Sequence, residues 1–424
     1  MLRVLFFKEL NESILSLKFQ ITFLACGLLA LVGSVLMVVD CEREMRDHRL
    51  LEESHRYLLR AGDASTVRHS TVVDLPLRSW QGLVRGAAGR RDEPVYIHQV
   101  SEPYFLRPLN SLSANRVYTS VDLLFIMTTI MSLLAVLLSH DLISRERESG
   151  TLKMIMAQSV SRDLLLVAKW LGGFVLLCLS LVVLLGLTFL LLSALPTEFS
   201  LQGEWGRMVG MGAISVLLLS ALFSLGLLIS CRCRHSVNAL VVLLFLWVLF
   251  ALVVPSASPH LAEFLVPTPA VEELMYEELG LMLELDPVEG EGAIDEEEFQ
   301  ERMSQLEENF QQKMGVQAGL TQVLSYLSPV ATGAHLMADL SGTGLGARRR
   351  TVQAVQTFRQ AFIEFLEELR DPVPFEEMPR LQVPYPNFGE AIGALRTGLT
   401  VLVLYNVLFF LGAHLAFLRQ DLTT

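Results

Sequence analysis

Between His140 and Met156 the chain reads His140-Asp141-Leu142-Ile143-Ser144-Arg145-Glu146-Arg147-Glu148-Ser149-Gly150-Thr151-Leu152-Lys153-Met154-Ile155-Met156, with Ser161 and Arg162 shortly beyond. Alternating guanidinium and carboxylate groups cannot enter a bilayer core, so such a run rests on water, headgroups or protein. Its first half reads as a short charged helix. Gly150 interrupts that helix, and a short amphipathic turn held at the membrane face follows. By composition alone the run is a solvated loop.

Two further constellations have ligand chemistry. His48, Glu52 and His55 fall at i, i+4 and i+7, which places three potential metal ligands on one helical face. That helix is charged on most faces, and the expected reading is a solvated surface, with a divalent metal or copper as the alternative. Cys231-Arg232-Cys233-Arg234-His235 offers two thiols and an imidazole; we read it as a short basic turn with reduced thiols, against a metal transit site. The five cysteines (26, 41, 178, 231 and 233) form no disulfide framework. Neither H-E-x-x-H nor G-x-S-x-G occurs, nor the phosphate-cradling G-x-x-x-x-G-K-(S/T). The expectation is a non-enzyme that binds no cofactor directly.

The elements that position these residues follow from composition. Of 424 residues 52% are hydrophobic and 18% charged, with mean hydropathy +0.46, which excludes an ordinary soluble protein. The net charge of −12 argues against nucleic acid as a partner. Residues 256–391 hold 24 Asp/Glu and 8 Lys/Arg, so one acidic insertion accounts for more than the whole deficit. Six runs reach the ~20 residues a helix needs to cross hydrocarbon: 19–39, 117–139, 165–195, 207–230, 237–255 and 395–418. The first has too long an apolar core for a signal peptide and is read as retained. The fold class is therefore an all-α integral membrane protein with six transmembrane helices, a first extracytoplasmic region at 40–116 and a second at 256–392.

Arg3, Lys8, Lys18, Arg145, Arg147, Lys153, Arg162, Arg232, Arg234 and Arg419 all fall on one side of these spans, which predicts cytoplasmic termini. Residues 1–18 have helical apolar spacing and read as an interfacial helix; 140–164 is the cytoplasmic loop quoted above. Asp122, Lys169, Arg396 and His414 lie near span ends, where side chains snorkel. Asn406 sits mid-span, where an amide can bond a neighbouring helix, and Met127, Met131, Met208 and Met211 read as packing. In the second insertion, Asp295 with Glu298 caps a helix carrying Phe299, Met303, Leu306, Phe310 and Met314. After a turn at 342–346 a second helix carries Val352, Val355, Phe358, Phe362, Leu366 and Leu369, up to a stop at Asp371-Pro372. The two stripes are expected to pack on each other as an antiparallel hairpin.

The order Glu146-Arg147-Glu148-Ser149-Gly150-Thr151-Leu152, then Ser161-Arg162 and Lys169, closely resembles the E-(K/R)-E-x-G-T-L … S-R … K signature of ABC-2 type transporter permeases. Phe7-Lys8-Glu9-Leu10 resembles the interfacial helix that opens that family. The likeness is specific from Val121 to Leu181. Leu327-Ser328-Pro329 and Asp339-Leu340-Ser341-Gly342-Thr343 look similar to a bacterial subgroup with large ectodomains, loosely grouped as copper-enzyme maturation or gliding-type permeases. The resemblance implies an exporter permease of the bacterial inner membrane. It implies a coupling loop in which Arg145, Glu146, Arg147 and Glu148 contact a separate ABC ATPase subunit that uses ATP, with Gly150 presenting Thr151 and Leu152, and a second permease subunit beside lipid. The alternative is a non-transporting scaffold that uses the same motion to act on an extracytoplasmic partner.

Overall fold

Apolar runs this long become helices because a buried backbone amide without a partner costs several kcal/mol in hydrocarbon. The computed structural model describes residues 2–61, 71–75, 84, 95–97, 104–105, 122–158, 160–194, 205–268, 271–285, 295–367 and 378–419. Leu369, the stop at Asp371-Pro372 and the start of the second span at 117–121 lie outside them. Among the described residues six helices are long and apolar enough to cross a membrane.

The chain opens with α1 (Leu2–Leu15), bends at Ser16, and continues as one 45-residue helix, α2 (Leu17–Ala61). Three short antiparallel strands follow, β1 (Thr71–Val73), β2 (Val95–Ile97) and β3 (Tyr104–Phe105), paired in that order. Helix α3 is composite: Leu123–Phe125, a π-helical stretch Ile126–Met131, then Ser132–Ser139. Next come α4 (Ser144–Glu148), α5 (Thr151–Met156), α6 (Arg162–Ala194) and α7 (Trp205–Arg232). Helix α8 is again composite, Ser236–Val248, π-helical Leu249–Val253 and Val254–Leu265. The insertion contains α9 (Val271–Leu285), α10 (Glu296–Ser325), α11 (Pro329–Ser341) and α12 (Leu345–Glu367), and the chain closes with α13 (Phe388–Ala394) and α14 (Arg396–Leu418). One face of the bundle carries α1, α4, α5 and the end of α14, and is called the terminal face below; the opposite, insertion face carries the sheet, α9 and α12.

Helix α7 is the axis of the bundle and packs most extensively on α14, α3 and α11. Met127, Met131 and Met211 are buried in its main apolar core with Met208 packed alongside, so the methionines serve packing. Asn406 donates to the Leu217 carbonyl at 3.0 Å and so bonds α14 to α7. Asp122 is buried and caps α3, accepting from Phe125 N at 2.7 Å. His414 faces Asp163 at 3.6 Å, and Arg396 is exposed.

A re-entrant pair of helices fills the insertion side of the bundle. Helix α10 runs along the second half of α8, and the turn Tyr326-Leu327-Ser328 reverses the chain. Tyr405 Oη donates to Tyr326 O at 3.0 Å, and Ser328 Oγ donates to Phe250 O at 2.5 Å. Gly333 lies against Leu218, where an added Cβ would stand 2.9 Å from its side chain. Tyr405, Phe250 and Leu218 are each near the middle of their helix, so the turn reaches mid-depth among the spans. Helix α11, ~20 Å long by its 13 residues, then climbs back to the insertion face. The π-helical stretch of α8 explains why the turn seats there: a wide turn frees backbone carbonyls, and Phe250 O takes the Ser328 hydroxyl.

This corrects the expected hairpin in the second insertion. The α12 stripe (Val355, Phe358, Phe362, Leu366) does not bury against α10; it forms a small core with Leu75, Val95 and Ile97 of the first insertion, flanked by Met378, Leu381 and Val383. Helix α10 lies along α8 and α9 instead. The physical reason is α11, which draws the end of α10 down among the spans and leaves the stripe of α12 to the nearest apolar surface, the sheet. Residues 326–341, read from sequence as part of an ectodomain, are packed among the spans; a 13-residue helix that includes His335 and Asp339 is too short and too polar to register as a crossing.

Candidate functional site

The charged run emerges at the terminal face as two short helices joined by a left-handed glycine. Ser230 Oγ, near the end of α7, accepts from the backbone N–H groups of Ile143 at 2.9 Å and Ser144 at 3.0 Å, which fixes where α4 begins. Gly150 has φ +73°, a conformation L side chains resist, and no atom lies within 4 Å of a Cβ added there. The glycine is thus required by the turn and not by crowding. Ser149 Oγ and Thr151 Oγ1 are 2.8 Å apart across it.

Each carboxylate of α4 is engaged by the chain itself. Glu146 meets Lys169 Nζ of α6 at 2.6 Å, and the same ammonium lies 3.1 Å from both oxygens of Glu9 on α1. The Lys169 side chain is 4% exposed, so this lysine does not snorkel as its span-end position suggested; it is clamped between two acids. Gly172, one turn along α6, lets α1 approach until Glu9 Cβ would be 3.0 Å from an added Cβ. Glu148 accepts from Ser236 N at 3.1 Å and Ser236 Oγ at 2.9 Å, with His235 Nδ1 at 3.6 Å. It therefore caps α8, with its negative charge at the positive end of the helix dipole.

The apolar side of the run is a plug. Leu152 and Ile143 are buried with Val160, Leu165, Leu166, Leu227, Cys231, Ala413 and Phe417, which joins α5 to α6, α7 and α14. Arg162 donates to Leu418 O at 2.8 Å, at the C-terminal end of α14, and Ser161 Oγ caps Leu164 N at 3.4 Å. What remains exposed is a ridge of Arg145, Glu148, Ser149, Gly150, Thr151, Lys153 and Met154, with Arg147 half-buried. Met154 is 73% exposed, an apolar side chain standing in water. Sequence reasoning missed Met154 as part of this surface. It also missed Glu9, Lys169 and Ser236 as partners of the acids, although a lysine one turn inside an apolar span and a glutamate on an amphipathic helix were the available signal.

The metal candidates are occupied with other work. His48 is buried, Glu52 pairs with Arg56, and His55 Nδ1 lies 2.8 Å from Asp74 Oδ1, tying α2 to the end of β1. Cys231 is buried in the apolar plug, His235 faces Glu148, and burial pushes the Cys233 thiol above its usual range. Among the described residues no group of three or more His, Cys, Asp or Glu side chains is placed to hold a metal.

The model of the ABC-2 family transporter proteins matches residues 3–422. A probable ABC transporter permease protein, NosY, from Pseudomonas aeruginosa is 34% identical over 138 residues, which is 32% of this chain and 49% of that protein. The chain thus spans about half the length of the curated relative it matches.

Proposed function

This chain belongs to the ABC-2 family of transporter proteins and is a multi-pass permease subunit; from that premise we propose that it is one half of an exporter driven by a separate ATPase that docks on the ridge Arg145–Met154. The terminal face is then cytoplasmic, both termini with it, in the inner membrane of a bacterium. A second permease subunit, identical or not, completes the pathway, and ATP is bound and hydrolysed by the partner.

One observation supports the reading above others: the ridge is exposed on top and tied underneath to four spans. Glu146 holds α6 through Lys169, Glu148 caps α8, and Leu152 is buried with residues of α6, α7 and α14. A partner that pushes on such a ridge moves span ends as rigid bodies. Because Glu146 holds Lys169 and the exposed Glu148 holds Ser236, the docking test belongs to exposed side chains that hold no span. Arg145→Glu with Met154→Asp is expected to abolish co-purification with the partner ATPase and its stimulation, while membrane insertion and thermal stability stay at wild-type values. Undiminished stimulation would sink the assignment.

The rival reading, a scaffold that transmits ATPase motion to an extracytoplasmic partner without flux, is favoured by Arg207. This buried residue at the start of α7 donates to Leu340 O and Pro386 O, so the insertion is tied to the central span. ATP-dependent flux in vesicles with the ATPase reconstituted decides for transport; motion of the insertion without flux decides for the scaffold.

A further inference from the structure

On the insertion face a cleft of about 1170 Å³ opens between α12 and the segment Pro379–Phe388. Among the described residues its lining includes Arg207, Arg350, Arg380, Gln353, Thr357 and Tyr385, and no aspartate or glutamate. That is unexpected in an insertion whose residues 256–391 have 16 more acids than bases. Arg207 is committed to structure, since its guanidinium bonds two carbonyls and stacks 4.1 Å over Tyr385. The other two are not. The Nε of Arg350 is buried without a hydrogen-bond partner, and Arg380 is exposed with no carboxylate partner among the described residues. Asp339, the acid whose field Arg350 feels, lies on α11 outside the lining.

The second wall supplies an independent feature. From Leu381 to Tyr385 burial alternates, with Leu381, Val383 and Tyr385 half-buried and Gln382 and Pro384 exposed, the period-2 pattern of a strand on a core. Yet among the described residues the backbone N–H and C=O groups of Arg380, Leu381, Gln382 and Val383 make no hydrogen bond. An extended segment with an open backbone is a template for strand addition by another chain, and main-chain bonds of that kind give affinity while adjacent side chains select the occupant.

We propose that this cleft binds an extended acidic peptide segment of a partner protein, paired along the backbone of residues 380–383 with its carboxylates on Arg350 and Arg380. Charge excludes the opposite choice: a basic peptide would have to place its cations on two guanidiniums. The surrounding acid opposes any non-specific polyanion, so binding here needs the local guanidiniums and the main chain together. Seated there, the peptide touches Gly206 and Arg207 at the head of α7 and Phe388 at the start of α13, so the site lies where a bound partner would feel motion of the spans.

The test uses the full chain in detergent or nanodiscs of neutral lipid, without ATPase or nucleotide, so that its failure is separate from failure of the docking assignment. Fluorescein-labelled deca-glutamate is the probe, read by anisotropy. Saturable binding is expected, weakened about tenfold or more by Arg350→Gln with Arg380→Gln, and restored toward wild type by Lys at both positions. Deca-glutamine and a deca-glutamate N-methylated at alternate residues should each bind at least about tenfold more weakly, since one lacks the charge and the other the backbone donors. Arg380→Gln alone, at an exposed position, guards against misfolding and should weaken binding by itself. The proposal is overturned by absence of binding to the wild-type chain, by equal binding to the double variant, or by equal affinity for the N-methylated peptide. Displacement by inorganic phosphate at equal charge would mark a small-anion site and overturn it too, as would cross-linking of Arg380→Cys to the acidic helix of a second copy.

Discussion

Lys169 shows how a single side chain can be both the most expensive and the most constrained group in its neighbourhood. An ammonium at 4% exposure is stable only because Glu9 and Glu146 surround it, and each acid in turn is tolerable only beside the lysine. Lys169→Met would leave two buried carboxylates facing one another. A loss of about 3–5 kcal/mol is expected, the cost of breaking a buried pair by removing one partner, read as a lower thermal midpoint of the solubilised protein. Adding Glu9→Gln and Glu146→Gln to Lys169→Met should recover most of it, because the trio is then neutral; a Lys169→Met variant as stable as wild type would show that the ion trio does not form. Gly342 makes the same point for the backbone. It ends α11 with φ +74°, Thr343 N bonding Ala338 O at 2.8 Å and Gly342 N bonding Asp339 O at 3.2 Å, the Schellman pattern. An added Cβ would also stand 2.6 Å from the Tyr385 ring. Gly342→Ala therefore combines strain with overlap and should lose roughly 2 kcal/mol or more, whereas Gly150→Ala, with open space around it, should lose only the ~1 kcal/mol of the left-handed backbone. Equal midpoints for the two variants would refute the distinction.

At the scale of elements, the re-entrant pair α10–α11 is where reading the sequence and seeing the structure part company. Six spans were legible because runs of about 20 apolar residues have one structural solution in a membrane. The turn at Gly150 was legible because a glycine between two helical patterns has few other uses. A 13-residue helix that includes His335 and Asp339 has no such signature; the bonds of Tyr326 and Ser328 to Tyr405 and Phe250, and the close fits of Gly333 on Leu218 and of Gly398 on Leu336, reveal that α11 packs among spans. For the same reason the partner of the α12 stripe could not be read, since periodicity says that a face is buried and not by what. The candidate ridge was legible in its residue types, but the pairing of its acids depends on contacts more than 20 residues away, as Glu146 with Lys169 and Glu148 with Ser236 illustrate. Two variants test the re-entrant seat. Ser328→Ala removes both the cap on Ala331 N and the bond to Phe250 O, and should cost about 1–2 kcal/mol. Gly333→Val pushes on Leu218 and should cost about 1–3 kcal/mol, relieved in part by Leu218→Ala in the same chain. Strict additivity of that last pair would mean the two residues do not touch.

For the whole molecule, α7 is the element that is bonded at both faces. Its 28 residues make a strut of about 40 Å. At the terminal face Ser230 holds the start of α4 by two backbone bonds, and at the insertion face Arg207 holds the end of α11 and the segment at Pro386. Between them α7 is largely buried against α3, α11 and α14, packing that would carry a shift at one end as a rigid displacement. The two ends can then be separated by experiment. Arg207→Met removes the fork that bonds Leu340 O and Pro386 O but lies a full span away from the ridge. It should leave capture of the partner ATPase unchanged while lowering its stimulation by about tenfold, a loss equivalent to ~1.4 kcal/mol of coupling. Proteolysis within residues 378–387 should quicken in the same variant, because the guanidinium that pins this segment is gone. Arg207→Lys, which keeps the charge but not the planar fork, should fall between the two. If Arg207→Met stimulates the ATPase as wild type does while its insertion is loosened, α7 is only a packing axis, and the insertion must receive motion through α14 or α8 instead.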